Sequence, residues 1–354
     1  MIVQTYFPQK LSPSRYDAYL ASGWFRGSMM LYKMDLLCIE EDLFSVINIR
    51  LDLDGHTPKK RHLKLLNKAK KNFTFEINQA SSSLAKEMLY QMHKSKFQGF
   101  IHSTLEEYLN SGFSGSVFDT QEVCIYHDNE LIAVSFFDLG GQSAASLLCL
   151  YNQEYSSYSL GTVTMLLEIE FIREKNFKWY YPGYVLDRKS SFDYKLQLGT
   201  FEYYNHNKRW INIDKFELQH SLAHHINSKT EEMSAELLKK GIKHKVQLYP
   251  FYSLGYMGYW KVDFLQFPRL IVVQKKKNLY LIIAYDFERE KFTLLEANYS
   301  SAHDHLINME CSSDFLNSDS YFMQLVALKN VLHRSIHPNS IVKNIIKLNS
   351  NETS

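Results

Sequence analysis

Glu122-Val123-Cys124-Ile125-Tyr126, Leu131-Ile132-Ala133-Val134-Ser135-Phe136-Phe137-Asp138 and Ala144-Ala145-Ser146-Leu147-Leu148-Cys149-Leu150-Tyr151 are three short apolar runs, parted by His127-Asp128-Asn129 and by Gly140-Gly141. Runs of this length between turn formers predict strands joined as an antiparallel meander. A polar loop, 152–159, follows. Leu160-Gly161-Thr162 then opens a segment to about Lys175 that is nearly apolar as far as Ile172 except for Glu168 and Glu170. A helix that is apolar on almost every side belongs inside the protein. Asn176 closes it, and Phe177-Lys178-Trp179-Tyr180-Tyr181 resumes as a strand.

Upstream, Ser14 to Leu20 reads as a helix, with Pro13 suited to its first turn and Gly23 to its end. Phe44 to Leu51 alternates with a strand's period of two until Asp54-Gly55 breaks it. From Pro58 to Lys71 the sequence is helical and basic, carrying Lys59, Lys60, Arg61, Lys64, Lys68, Lys70 and Lys71 with no acidic residue between. Helical spacing puts Lys60, Lys64, Lys68 and Lys71 on one face and is expected to turn Leu63 and Leu66 to the core. Such a stripe reads either as a solvated face or as a track for phosphates. Further helices are expected at 84–94 and 104–110.

Beyond about Lys215 the character changes. A polar, helix-prone stretch, 217–243, precedes Leu270-Ile271-Val272-Val273, a turn at Lys275-Lys276-Lys277-Asn278, Leu279-Tyr280-Leu281-Ile282-Ile283 and Phe292-Thr293-Leu294-Leu295, a second meander. The expected layout is therefore an α+β protein in three parts: 1–78 with the basic helix, 79–215 with the first meander and buried helix, and an appended α+β domain, 216–354. The tail from about Asn349 is polar and expected to fray.

Composition excludes several classes. Of 354 residues, 45% are apolar and 14% aromatic, enough for packed domains rather than a disordered chain. Forty Lys and Arg stand against 38 Asp and Glu, a formal charge of +2, so affinity for nucleic acid would have to come from local clustering. Cys38, Cys124, Cys149 and Cys311 lie too far apart in sequence for the close pairs of thiolate metal sites or redox motifs. No opening signal segment and no run of about 20 apolar residues is present, so the expected setting is the cytoplasm, with reduced thiols.

Tyr151-Asn152-Gln153-Glu154-Tyr155-Ser156-Ser157-Tyr158-Ser159-Leu160-Gly161-Thr162, then Tyr180-Tyr181-Pro182-Gly183-Tyr184, then Tyr194-Lys195, with Leu131-Ile132-Ala133-Val134 and Asp138 upstream, form an ordered set. The set resembles the aminoacyl-tRNA protein transferases of the N-end rule. The resemblance extends forward through Tyr16, Leu20, Gly23-Trp24-Phe25-Arg26, Tyr32-Lys33, Ile49-Arg50 and Pro58, spanning roughly residues 6 to 205. It implies an N-acetyltransferase-like (GNAT) acyltransferase core. It also implies transfer of arginine or leucine from a charged tRNA to the amino terminus of an acceptor protein beginning with Asp or Glu, with no cofactor.

Such a reaction is aminolysis of an activated ester. The protein has to hold amine and carbonyl at attack distance and stabilise the oxyanion. The helix start at Ser159, Leu160 and Gly161 offers free amides to a phosphate of the tRNA terminus, or is an ordinary cap. Gly183 lets a substrate approach the backbone, or marks a bulge. Tyr181, Tyr184 and Tyr194 are candidates to orient the ester or stack on adenine, Asp138 to take the amine or its proton, and Lys195 to meet phosphate. Trp24, Arg26, Tyr32, Arg50, Lys60, Lys64 and Lys68 complete the expected substrate and tRNA contacts.

The chain departs from the family's pattern where charge matters. Ser190-Ser191-Phe192-Asp193 stands where the family has a Pro-Lys-Met-Arg/Lys run, and Phe25-Arg26-Gly27 where it has Arg-Arg-Ser. Leu43-Phe44 occupy the place of a cysteine pair, so no metal or iron-sulfur centre is expected. Two alternatives follow: a catalytically silent relative that still binds tRNA and protein, and an acyltransferase using an acyl-CoA donor. The second is disfavoured because Ser-Leu-Gly-Thr lacks a glycine-rich pyrophosphate loop.

Overall fold

The computed structural model describes residues 2–97, 100–110, 116–257, 262–276, 278–301, 310–311 and 318–352. Strands β1 (Val3–Tyr6), β2 (Phe25–Gly27) and β3 (Met30–Met34) form a small sheet, with helix α1 (Pro13–Ala21) between β1 and β2. A hairpin of β4 (Leu36–Ile39) and β5 (Asp42–Asp52) leads to α2 (Lys60–Asn72), β6 (Thr74–Gln79) and α3 (Leu84–Lys94). After β7 (Phe100–Ile101) and α4 (Leu105–Asn110) comes the meander β8 (Asp119–His127), β9 (Glu130–Leu139) and β10 (Ser143–Tyr151). Helix α5 (Leu160–Glu174), β11 (Trp179–Tyr181), β12 (Tyr184–Leu186), β13 (Phe201–Tyr204) and β14 (Trp210–Asn212) complete the first half.

These strands build one large sheet in the order β14-β13-β5-β11-β10-β9-β8-β6, with β4 and β12 also paired to β5. The sheet therefore draws on both sides of the boundary expected at residue 78. Helix α5 lies on one face, burying Leu160, Val163, Met165, Leu166, Leu167, Ile169 and Ile172. At about 1.5–3 kcal/mol for each large apolar side chain fully buried, this face is a main source of stability. Asn176 takes a left-handed φ of 59°, and Phe177 N–H reaches back to Ile172 O at 3.0 Å, so the helix stops where the sequence places its end.

The basic helix forms, but its core face differs from the expectation. Leu63 is 44% exposed, whereas His62, Leu66 and Ala69 are buried and Leu65 is half-buried. Positions 62, 66 and 69 recur at helical spacing, and Leu63 sits about 100° round from His62, towards solvent. Leu66→Ala is accordingly expected to cost about 2–4 kcal/mol in urea unfolding and Leu63→Ala under about 0.5. Equal losses would show that the buried face is misassigned.

The remaining chain adds α6 (Leu222–Lys239), β15 (Lys245–Leu248), α7 (Leu254–Met257), β16 (Arg269–Lys276), β17 (Leu279–Asp286), β18 (Lys291–Tyr299), β19 (Glu310–Cys311), β20 (Val326–Ser335) and α8 (Pro338–Glu352). A second sheet runs β15-β16-β17-β18-β20, which contains the expected meander; Lys277, in its turn, lies outside the described residues. Ile2, Val3, Leu36, Cys38 and Leu43 pack into the core of this second half. Among the described residues no helix is long and apolar enough to cross a membrane.

Candidate active-site cleft

Strands β10 and β11 run parallel for three residue pairs, Ser143 with Trp179, Ala144 with Tyr180 and Ala145 with Tyr181, and then part. Two local features drive them apart. Pro182 has no N–H to continue the ladder, and Gly183, at φ +91°, turns the chain so that Tyr184 pairs with Asn48 of β5. On the other strand a bulge between Ser146 and Leu148 bends β10 against β9. On the side of β11, the edge of β10 from Ser146 onward thus has no strand beside it among the described residues.

Two cavities meet at this fork. One, of about 450 Å³, is lined by Trp24, Phe25, Tyr32, Tyr181, Tyr184 and Trp210. The other, of about 560 Å³, is lined by Tyr151, Ser159, Leu160, Gly161, Thr162 and Tyr194. Lys96, Ser146, Leu147, Pro182, Ser191 and Lys195 are among the residues they share, which form the waist between them.

The second lobe receives the start of α5. Ser159 has a left-handed backbone (φ 51°, ψ 49°) and its side chain makes no capping bond. A Cβ at Gly161 would meet nothing within 4 Å. The first amides of this 15-residue helix therefore open onto the cavity, an arrangement that suits a phosphate.

Lys195 and Lys96 bring positive charge to the waist, and Lys195 is the more enclosed of the two. Its Nζ donates to Tyr184 O at 3.0 Å and lies 5.0 and 5.3 Å from the rings of Phe192 and Tyr184. Burial pushes its ammonium down to about 8. It would stand 3.6 Å from a Cβ at position 183, an ordinary contact, so the φ of +91° rather than crowding is what calls for glycine there. Burial also raises the Tyr184 hydroxyl to about 12, so that side chain acts as a neutral wall or hydrogen-bond donor.

The other expected residues divide. Trp24, Tyr32, Tyr181, Gly183, Tyr184, Tyr194, Lys195, Ser159, Leu160 and Gly161 all line the fork. Asp138 does not: it has no exposed surface, and its carboxylate accepts from Arg26 Nη1 at 2.6 Å, Thr120 Oγ1 at 2.7 Å and Tyr16 OH at 3.1 Å. Arg26 borders the first lobe, yet its guanidinium is spent on Asp138, Thr120, Ser28 O and Leu109 O and stacks 4.3 Å from the Phe118 ring. Arg50 lies outside the cleft, paired with Glu202 at 2.7 Å and set 3.6 Å over the Trp179 ring. These three side chains hold the walls rather than reach a ligand, because each polar group already has its partner.

Lys60, Lys64 and Lys68 are exposed and line neither cavity. Lys68 Nζ sits 4.5 Å over the ring of Tyr158, the residue before Ser159, so the basic stripe approaches the phosphate lobe from outside. Among the replacements in the divergent run, Ser191 lines both lobes, and Asp193 is occupied in accepting from Ser190 N and Oγ at 3.2 Å.

Sequence reasoning missed Ser146, Lys96 and Asn48, all at the cavity walls. Nothing in their local sequence marks them. Only the fork, a product of pairing between distant strands, brings them together.

Comparison with known proteins gives the arrangement its context. Residues 75–205 match the family model "Arginine-tRNA-protein transferase, C terminus". The aspartate/glutamate leucyltransferase of Leptospira interrogans is 26% identical over 225 residues, 61% of this chain and 85% of that protein. That of Helicobacter hepaticus is 28% identical over 199 residues, 55% of this chain and 80% of the relative. Similar solved structures include L-PGS from Bacillus licheniformis, with a TM-score of 0.32, 14% identity and coverage of 42% of this chain and 49% of that one. FemX gives a TM-score of 0.32 at 8% identity over 50% of this chain and 61% of its own. The family match spans α5, the fork and its glycine, so this part of the chain resembles the C-terminal region of the arginine-tRNA-protein transferases, and the likeness to the leucyltransferases supports an aminoacyltransferase.

Proposed function

We propose that this protein transfers an aminoacyl group from a charged tRNA to the α-amine of an acceptor protein, by direct aminolysis at the waist of the fork. The observation that carries the reading is the two-lobed opening beside Gly183, with a helix N-terminus on one side and an aromatic chamber on the other. The terminal phosphate of the tRNA sits against the amides of Leu160 and Gly161. Tyr194 flanks the adenosine, and the acceptor's first residue enters the chamber of Trp24, Tyr32 and Tyr181. The ester carbonyl then lies at the open edge of β10, within reach of Lys195, whose charge stabilises the developing oxyanion.

The relatives' name points to leucine as the donated residue and to acceptors beginning with Asp or Glu, which would mark them for degradation under the N-end rule. With Arg26 engaged by Asp138 and Lys195 given to the oxyanion, the acidic side chain is met by Lys96. The test is transfer from radiolabelled Leu-tRNA and Arg-tRNA to peptides of varied first residue. Transfer from neither would remove the reading, and stable tRNA binding without turnover would point to a silent binding relative.

The basic stripe has its own test. Replacing Lys60, Lys64 and Lys68 by alanine is expected to weaken tRNA binding and to lower the dependence of log K on log salt by roughly 0.7–0.9 for each phosphate no longer neutralised. An unchanged salt slope would make the stripe a solvated surface.

A further inference from the structure

Gln153 opens the short turn Gln153–Tyr158 that joins β10 to the start of α5. Its side-chain amide reaches back to the C-terminal end of α3. Oε1 accepts from Lys96 Nζ, while Nε2 lies 3.4 Å from His93 Nδ1 and donates to Tyr151 O at 3.3 Å. An ammonium can only donate, so this contact fixes which end of the amide faces Lys96. Lys96 Nζ also stands 5.7 Å from the centre of the Tyr151 ring. A half-buried glutamine thus holds the tip of an exposed lysine that borders both lobes.

What the contact lacks is a counter-charge. Among the described residues that line the two lobes there is no Asp or Glu, and Lys96 has no carboxylate partner among the described residues. The arginines nearby are already neutralised, Arg26 by Asp138 and Arg50 by Glu202. Gln153 orders the Lys96 ammonium and leaves its charge whole. A cation fixed by a neutral acceptor, beside cavities free of acids, is set to meet an anion that arrives with a ligand.

The geometry points to Gln153 as a positioning residue for acceptor selection, holding Lys96 where its ammonium meets the carboxylate of the acceptor's first side chain. This rests on the aminolysis reading. Because Gln153 begins the turn that ends at Ser159, the lobe that takes the tRNA terminus and the choice of acceptor share one structural element. Neither Gln153 nor Lys96 makes or breaks a bond.

The test on the intact chain is a ratio of rates. Transfer from one charged tRNA is measured to two peptides that differ only in Asp or Asn as the first residue. Both peptides meet the same donor, so any effect on tRNA binding cancels. Wild type is expected to favour the Asp-first peptide by about fivefold in kcat/KM, the worth of one partly exposed ion pair. Gln153→Glu keeps an acceptor for Lys96 but neutralises it, and is expected to erase the preference. Gln153→Leu frees the lysine and is expected to raise KM for the Asp-first peptide more than for the Asn-first one. Lys96→Glu is expected to invert the choice, so that an Arg-first peptide overtakes the Asp-first one.

A clamp that serves the fold alone would cost both peptides alike, so equal losses in these variants overturn the assignment. A wild type that transfers equally to both peptides overturns it too. Lys96 is exposed and Gln153 half-buried, so these changes leave the packed core untouched. A wild type that transfers to no peptide from any charged tRNA is a different result: it removes the aminolysis reading and the role of Gln153 with it.

Discussion

Arg26→Met is expected to destabilise the protein by about 3–5 kcal/mol, because it strands a carboxylate that has no route to water. The two side chains meet at 2.6 Å with side-chain exposures of 2% and 0%. Without the guanidinium, Asp138 retains only Tyr16 and Thr120 as donors. Burial already raises this carboxyl above its ordinary value of 3.8, and Arg26 is the largest influence holding it down. In the variant the folded state therefore keeps its proton to still higher pH than the unfolded chain does. The folded form then binds more protons above 3.8, so the variant loses stability as pH rises through that window.

Arg26→Met combined with Asp138→Leu is expected to recover most of the loss, since an apolar pair leaves no orphaned charge. Urea unfolding at several pH values measures both effects. A single-variant loss below about 1 kcal/mol would mean the pair is not sealed, and would return Asp138 to the groups able to meet a substrate amine.

The second large effect separates activity from stability. Lys195→Met is expected to lower the rate of transfer by about 10²–10³-fold, the usual cost of removing one fixed electrostatic contact to a developing oxyanion. The same change is expected to raise stability at neutral pH, by on the order of 1 kcal/mol, because a desolvated ammonium is replaced by an apolar chain of similar length.

Lys195 titrates at about 8 when folded and near 10.5 when unfolded. Between those values the unfolded chain holds more protons, so the wild-type protein gains stability as pH rises from about 8 towards 10.5. The variant should lack that gain. Thermal unfolding across the alkaline range, set beside single-turnover rates, tests both halves. Normal transfer by Lys195→Met would place the oxyanion's support on the backbone of β10 alone.

Much of the transferase half can be read from local signals. The apolar runs of β8, β9 and β10, the all-round apolarity of α5 and the stop at Asn176 are properties of neighbouring residues, and the structure has them where the sequence places them. Gly183 is legible for a similar reason, since a glycine after two tyrosines and a proline has few uses other than a turn or a close approach. What the chain does not display is pairing across distance. That Arg26 meets Asp138 112 positions away follows from the docking of β2 against the meander, and neither residue's neighbourhood announces it. Leu63 and Leu66 are alike in type, and only the direction in which α2 meets α5 decides which is covered.

Because Ile2, Val3, Leu36, Cys38 and Leu43 are covered by residues from 222 onward, the final third of the chain completes the hydrophobic seat of the first 43 residues. Asp42, at the root of β5, is tied to the same region through Arg269 at 3.6 Å. A version cut near residue 215 would expose that seat and loosen the very strand that receives Tyr184 after the fork. Such a fragment should aggregate rather than serve as a minimal enzyme, so expression designs need to keep both halves.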